Sequence, residues 1–220
     1  MTTVANPTYR QRVGYQAGLL GGFALVAAAM LVMGDIATRE TIAERKAEDL
    51  LASLAQVIPA AMHDNDLLAN ALRLNVPDDE ASEPLIVYRA LQGLDAKAVA
   101  FEAVGQGYAG PIRVLLGIGA DGRVLGVRVL AHTETPGLGD KIEAARGDWI
   151  RSFDGRSLTD PDAAGWAVKK DGGIYDQFSG ATITPRAVVK AVKSGLEMFE
   201  THRDTLTASA VVVQETTRNE

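Results

Sequence analysis

The sequence predicts an α+β protein in which a single N-terminal transmembrane helix is followed by one extracytoplasmic domain of antiparallel strands and flanking helices. Three observations lead to this class. Val13 to Gly34 contains no charged residue, β-rich segments punctuated by glycine follow from Leu85, and an amphipathic helix ends before Arg203. The predicted parts are a cytoplasmic segment, the membrane helix, a juxtamembrane helical segment, the folded domain and a mobile tail, at residues 1–12, 13–34, 35–84, 85–203 and 204–220.

The composition excludes several classes of protein. The 220 residues include 22 Lys and Arg against 28 Asp and Glu, a net charge of −6, with 5% aromatic residues and no cysteine. An acidic chain with so few aromatic residues does not resemble a general nucleic-acid binder. The absence of cysteine excludes disulfides, thiolate zinc sites, cysteine-ligated iron–sulfur clusters and cofactors tethered through sulfur.

The uncharged stretch is long enough to cross the lipid bilayer. At about 1.5 Å per helical residue, Val13 to Gly34 extends roughly 33 Å, against a hydrocarbon core of about 30 Å. A cleaved signal peptide is the alternative, but its apolar core is shorter, about 7 to 15 residues. Arg10 and Arg12 precede the stretch, which favours a cytoplasmic N-terminus with the domain across the membrane.

Three glycines inside the stretch, Gly14, Gly18 and Gly22, lie four residues apart and therefore on one helix face. Such a row of small residues lets a second membrane helix approach closely. Glycine is also common in membrane helices generally. Packing against a partner helix and chance composition both stay open.

Two helices are predicted between this stretch and the sheet. Residues 36–58 are rich in helix formers and carry an apolar stripe, which Pro59 ends. Residues 60–74 predict a second, shorter helix, and the polar run 75–84 predicts a loop.

Short strands are predicted next, at residues 85–91, 98–104, 112–118 and 123–131. Apolar residues alternate in the third segment, and Asp121-Gly122 before the fourth is a strong hairpin signal.

The last third of the chain predicts two helices around a strand pair. Asp140 and Glu143 form a capping box for a helix that contains Trp149, and residues 164–169 and 173–178 predict paired strands. Thr184 as N-cap and Pro185 as the first helical residue predict the start of the final helix.

Common catalytic and metal-binding patterns are missing. His63, His132 and His202 are far apart in sequence, and each is interpreted as a surface or loop histidine. The sequence has no GxxxxGK[ST] phosphate loop and no GxSxG nucleophile motif. We therefore predict neither a metal site nor a set of catalytic residues.

Two segments could bind a ligand. The run DQFSGATITP, from Asp176 to Pro185, brings two threonine hydroxyls through a glycine turn to a helix start, where unpaired amides favour phosphate. The run HTETPGLGDK, from His132 to Lys141, is a strand-to-helix loop whose glycines allow close backbone approach to a planar ligand. From spacing alone, an ordinary turn with an N-cap is the preferred interpretation of the first run, and connectors with the composition of the second run are common.

Together these runs resemble a known family. D-x-x-S-G-A-T at Asp176 to Thr182, with ETPGLGDK, is similar to the FMN-binding domain of the Rnf electron-transport complex and of the sodium-pumping NADH:quinone reductase. The resemblance covers residue 13 to about residue 203 and is greatest to the G subunits of Rnf complexes. In that family, an ApbE-type flavin transferase esterifies the FMN phosphate to the threonine that closes S-G-A-T. The resemblance thus implies covalent FMN on Thr182.

The resemblance also implies a set of cofactor contacts. They are Glu134, Thr135, Gly137, Leu138, Asp176, Ser179, Gly180, Ala181 and Thr184. Trp149 and Trp166 are predicted to be core residues instead.

The implied function is that of an electron carrier in a membrane-bound, ion-translocating ferredoxin:NAD oxidoreductase. Its partners would be the other Rnf-type membrane and iron–sulfur subunits, the transferase and the lipid bilayer, with no nucleic acid. The chain would cross the bacterial inner membrane once, with its domain in the periplasm and no complete catalytic site of its own. The C subunit of a sodium-pumping NADH:quinone reductase and a flavin-free, membrane-anchored binding or scaffold domain are the alternatives.

Overall fold

The computed structural model describes residues 13–74 and 84–209, in two units that divide after Asp49. The predicted N-terminal segment 1–12, residues 75–83 of the predicted loop, and the tail beyond Ser209 lie outside the described residues.

The first helix, α1, runs from Val13 to Val57. Its first part is long and apolar enough to cross a membrane. No break follows Gly34, since the Thr38 hydroxyl donates to the Gly34 carbonyl at 2.8 Å and Arg39 pairs with Asp35 one turn earlier. The predicted membrane helix and the helix expected after it are thus one continuous element.

The second unit contains a five-stranded antiparallel sheet. Its strands, β1 to β5, are Leu72–Leu74, Leu85–Gln92, Asp95–Gln106, Pro111–Gly119 and Val124–Ala131. They pair in sequence order. The four predicted strands are confirmed as β2 to β5, and the predicted Asp121-Gly122 turn joins the last two.

Apolar side chains cover both faces of the sheet. On one face lie α2, Ile183–Thr201, and α3, Arg203–Thr207, and Val188, Val192, Leu196 and Phe199 of α2 are completely buried. On the other face, the end of α1 contributes buried residues to a second apolar cluster. The predicted architecture, an apolar N-terminal helix followed by an antiparallel sheet with flanking helices, is therefore confirmed.

The helix predicted for residues 60–74 is wrong. The segment contains a 3-10 turn, Ala60–Met62, and then β1. Asn65 explains the difference, because its amide donates to the Arg89 carbonyl at 2.9 Å and accepts from the Leu91 N–H at 2.8 Å. These bonds fix the segment against β2 in place of a helical turn.

The helix predicted after Asp140 is also wrong, since the segment forms two 3-10 turns, Asp140–Ile142 and Trp149–Phe153. The predicted strand pair is reduced to one bridge between Val168 and Tyr175. Aromatic packing determines the conformation of these segments, since the Phe153 ring stacks on the Tyr175 ring with centroids 4.6 Å apart.

The mobile tail predicted from residue 204 is wrong for its first residues. Leu206 of α3 is completely buried in the main core. The Arg89 guanidinium, itself buried, donates to the carbonyl of Ala208 just beyond α3. The burial of Leu206 and the hydrogen bond from Arg89 to the Ala208 carbonyl therefore order this segment, although its sequence has no clear helical period.

Candidate functional site

A cavity of about 380 Å³ lies where the loop after β5 meets the start of α2. The turn between β3 and β4 closes one side of it. Its lining residues are Tyr108, Glu134, Thr135, Leu138, Gly139, Gly180, Ala181, Thr182, Ile183 and Thr184. The two segments singled out in the sequence, about fifty residues apart, thus face one space.

Turns give both segments their shape. In the first, the Gly139 N–H donates to the Thr135 carbonyl at 3.0 Å. In the second, Gly180 has a φ of +84°, which favours glycine, and Ala181 N–H donates to the carbonyl of Phe178. Phe178 is buried and lies 5.1 Å from the Trp149 ring, so the second turn is attached to the core.

Most of the predicted contacts line this cavity, but three do not. The Asp176 carboxylate pairs with Lys169 at 2.6 Å, and Ser179 is exposed. Gly137 has a φ of +79°, and a Cβ there would have open space around it. Asp176, Ser179 and Gly137 therefore flank the lining residues within the same two loops.

The two threonines of the second segment differ sharply. Thr182 is half-buried, immediately precedes α2 and makes no side-chain capping bond. Thr184 is completely buried, and its hydroxyl donates to Oε2 of Glu134. The predicted N-cap at Thr184 is wrong, because α2 begins at Ile183 and Thr184 therefore lies inside the first turn, where its hydroxyl donates to a buried carboxylate.

Glu134 is a charged residue inside this wall, with only 5% of its surface exposed. Besides the bond from Thr184, it accepts the N–H of Ala109 at 2.9 Å through Oε1. Burial of a carboxylate is costly without such partners. Glu134 is thus fixed by the β3–β4 turn and by α2.

His132, predicted to be a surface or loop histidine, lies in the loop after β5, where its side chain is only 11% exposed. Its Nε2 lies 2.8 Å from Oε1 of Glu143, and its Nδ1 accepts the N–H of Glu134 at 3.1 Å. Among the described residues, no group of histidines and acidic residues is arranged to hold a metal ion.

An ion pair lies beside the start of α2. Arg186 donates to both carboxylate oxygens of Asp171, and also to the Thr182 carbonyl at 3.1 Å. These hydrogen bonds lower the pKa of Asp171 and raise that of Arg186. A permanent cation thus lies close to the backbone of Thr182.

Sequence reasoning missed three lining residues, Tyr108, Gly139 and Ile183. Gly139 belongs to the ETPGLG run and could have been included on that ground. Tyr108 is 75% exposed in the β3–β4 turn, and its position at the cavity depends on strand pairing that no local pattern gives. The core position predicted for Trp166 is confirmed, because it is buried in the main cluster, whereas Trp149 is partly exposed and packs against that cluster.

Residues 107–197 match the family model of the FMN-binding domain. The G subunit of an ion-translocating oxidoreductase complex from Cereibacter sphaeroides is 59% identical over 190 residues, 86% of this chain and 85% of that protein. The G subunit of the same kind of complex from Stutzerimonas stutzeri is 48% identical over 198 residues, 90% of this chain and 85% of that protein.

Two crystal structures are similar to part of this chain at lower identity. Shewanella oneidensis NqrC is 24% identical with a TM-score of 0.44, covering 68% of this chain and 73% of its own. The C subunit of the sodium-translocating NADH-quinone reductase from Parabacteroides distasonis is 19% identical with a TM-score of 0.46, covering 64% and 71%.

Proposed function

The chain belongs to the family of G subunits of ion-translocating oxidoreductase complexes, and from that premise we propose that it relays electrons through FMN esterified to Thr182. Members of this family are electron-transport flavoprotein subunits of a membrane-bound complex, and residues 107–197 are an FMN-binding domain. Both the covalent bond and its position at Thr182 are part of what we propose.

The residues at the cavity fit FMN. A volume of about 380 Å³ is within the usual range for cofactor sites, roughly 300 to 1,000 Å³. Leu138 and Ile183 offer apolar surface to a planar ring, and the first amides of α2 lack helical partners and favour phosphate. The chemistry that FMN supplies when bound is the uptake and release of electrons.

The observation that carries the proposal is the contrast between the two threonines. Thr182 is half-buried at the cavity and its side chain makes no capping bond, whereas Thr184 is completely buried and its hydroxyl donates to Glu134. An incoming phosphate can reach the first without breaking a buried hydrogen bond. In the transfer, the Thr182 hydroxyl would lose its proton and its oxygen would displace an activating group from the FMN phosphate. The resulting phosphodiester keeps one negative charge, which the α2 amides stabilise, and the modification makes the chain a phosphoprotein.

The remaining contacts follow from position. Glu134, Thr135 and Leu138, which line the cavity, would lie beside the flavin ring, and Gly180 and Ala181, which precede Thr182, would lie beside the phosphate. Gly137, Asp176 and Ser179 stay proposed contacts, because they flank those residues in the same loops.

The wider assignment is also a proposal. We infer that FMN accepts electrons from one partner subunit and passes them to another, in a complex that couples ferredoxin and NAD oxidoreduction to ion transport. Ferredoxin and NAD would bind to other membrane and iron–sulfur subunits, so this chain has no complete catalytic site. An ApbE-type transferase would attach the flavin in the periplasm, beyond a single membrane span of α1.

Intact-mass measurement tests the covalent bond. The full-length chain, produced together with a flavin transferase and then denatured, should gain the mass of one FMN residue, and peptide mapping should locate it at Thr182. An unmodified mass for the denatured chain contradicts covalent attachment and leaves FMN bound only noncovalently. A chain that retains no flavin even when folded supports the scaffold alternative.

A further inference from the structure

The Glu134 carboxylate joins three parts of the cavity wall. It belongs to the loop after β5, its Oε1 accepts from Ala109 in the β3–β4 turn, and its Oε2 accepts from Thr184 in α2. Because both oxygens are engaged and the residue is buried, any change in its placement disturbs two hydrogen bonds.

Two glycines leave the space that this side chain occupies. A Cβ at Gly107 would lie 2.5 Å from Oε1 of Glu134. A Cβ at Gly139 would lie 2.8 Å from the Glu134 Cβ and 3.1 Å from Oε2. These separations are shorter than ordinary van der Waals contact, so a larger residue at either position would require the Glu134 side chain or its neighbours to shift.

His132 fixes the backbone of the same residue. Its Nδ1 accepts the Glu134 N–H at 3.1 Å, which means that the proton of the neutral ring resides on Nε2. Nε2–H then donates to Oε1 of Glu143 at 2.8 Å. Arg146 holds Glu143 in turn, with its Nε 3.7 Å from Oε2, and also lies 3.6 Å from Asp140.

We propose that His132 is a positioning residue that holds the Glu134 carboxylate at the cavity, and that this carboxylate lowers the midpoint potential of the flavin bound there. The inference rests on the proposed function, because it requires FMN in this cavity. Neither half of it follows from attachment at Thr182.

The electrostatic reason is direct. Reduction adds electrons to the flavin, and a fixed carboxylate disfavours added negative charge more strongly in a poorly hydrated site than in water. If the His132 acceptor is removed, the Glu134 backbone loses one bond, and its carboxylate is held less firmly at the Ala109 and Thr184 donors. Its effect on the flavin then falls, and the midpoint potential rises.

Two substitutions separate the two bonds of the imidazole. His132→Asn places an amide oxygen near the position of Nδ1 and keeps an acceptor for the Glu134 N–H. His132→Gln extends toward Glu143 and lacks an acceptor at the Nδ1 position. Glu134→Gln removes the charge itself and serves as the reference for its full effect.

The test is a spectroelectrochemical titration of the full-length, flavin-loaded protein at one pH. We expect Glu134→Gln to raise the midpoint potential by about 30 mV, which is a tenfold change in the ratio of reduced to oxidised flavin for a two-electron couple. His132→Gln should shift it in the same direction, and His132→Asn should stay near wild type. Equal potentials in wild type and His132→Gln overturn the proposal, as does an Asn variant that shifts as far as the Gln variant.

Amide hydrogen exchange at Glu134 provides a second readout that needs no flavin. Exchange should be faster in His132→Gln than in wild type, and protection should persist in His132→Asn. Equal protection in all three proteins contradicts the positioning role. A protein that folds with these protections but never acquires a flavin spectrum contradicts the proposed function instead, so the two failures are distinguishable.

Discussion

Thr184 and Glu134, fifty positions apart in the chain, share a buried hydrogen bond in which the threonine hydroxyl donates to a carboxylate oxygen. This bond joins the loop after β5 to the first turn of α2. Because the Thr184 hydroxyl is engaged in this buried bond, it is poorly available for modification. Thr182 lines the cavity and does not take part in the bond. The nearby threonines therefore have separate roles, one in holding the site together and one as the proposed attachment point.

The first prediction separates these roles. Thr182→Ala should abolish covalent flavin, because it removes the proposed ester oxygen. Stability should change little, because the Thr182 side chain makes no capping bond to the described residues of α2. Thr184→Ala should keep the flavin but lower the free energy of unfolding by about 1 to 3 kcal/mol, because Glu134 loses a buried donor. In-gel fluorescence and thermal unfolding measure the two effects.

Thr184→Ser is the matched control, since it keeps the hydroxyl and should lose less stability than Thr184→Ala. Fluorescence that disappears with Thr184→Ala and persists with Thr182→Ala would reverse the assignment.

The second prediction concerns Gly137, whose φ of +79° disfavours a β-branched residue. Gly137→Val should cost about 1 to 2 kcal/mol of stability from backbone strain, since a Cβ there meets open space. We also expect an altered visible spectrum or redox titration with the covalent bond intact, because the loop lies beside the flavin ring in the proposed site.

Gly155→Val provides a control of similar strain. Gly155 has a φ of +76°, also with open space around a Cβ, and does not line the cavity. Its substitution should lower stability to a similar extent without changing the spectrum. If both variants leave spectrum and midpoint unchanged, the loop at Gly137 is only a connector.

The third prediction concerns the anchor of the S-G-A-T turn. The Trp149 indole N–H donates to the Asp176 carbonyl at 2.8 Å. Trp149→Phe should accelerate hydrogen exchange at residues 176–182 and lower the free energy of unfolding by about 0.5 to 1.5 kcal/mol, because that bond is lost while an aromatic ring remains.

Trp166→Phe removes a comparable bond, from the indole N–H to the Ser157 carbonyl at 3.2 Å. Exchange at residues 176–182 should be unaffected in that variant. Equal acceleration in both proteins would mean that general loosening of the aromatic cluster, and not the bond to Asp176, controls the turn.

The fourth prediction concerns topology. A reporter joined after Glu220 should be active in the periplasm, because Arg10 and Arg12 favour retention of the N-terminus in the cytoplasm. The same reporter joined directly after Arg12, ahead of the apolar stretch, should be active in the cytoplasm. Cytoplasmic activity of the first fusion contradicts the location and also the access of a periplasmic flavin transferase.

Structural elements that depend only on residues close together in the sequence were predicted correctly. A continuous apolar run predicts the stretch from Val13. Hydrophobic periods and turn signals predict the strands β2 to β5 and the apolar stripe of α2. The two loops of the site were also found in the sequence, because a glycine turn before a helix and a glycine-rich connector have recognisable compositions.

Local patterns failed where a distant partner decided the conformation. Residues 60–74 have helical composition, but Asn65 bonds to the backbone of β2. The segment after Arg203 has no helical period, but burial of Leu206 orders it. In both cases, a tertiary contact contributes more than local propensity, which is a weak determinant over a few residues.

The sequence by itself determined the class of the protein, its apolar anchor and the identity of the two loops, because each of these is written in contiguous residues. Only the tertiary structure decided that the loops share one cavity and that Thr184 serves Glu134 in place of the helix end. It also decided that His132 is largely shielded from solvent beside Glu143. The physical reason is that hydrogen bonding and burial depend on which distant groups the folded sheet brings into contact. The spacing of residues along the chain does not determine those contacts.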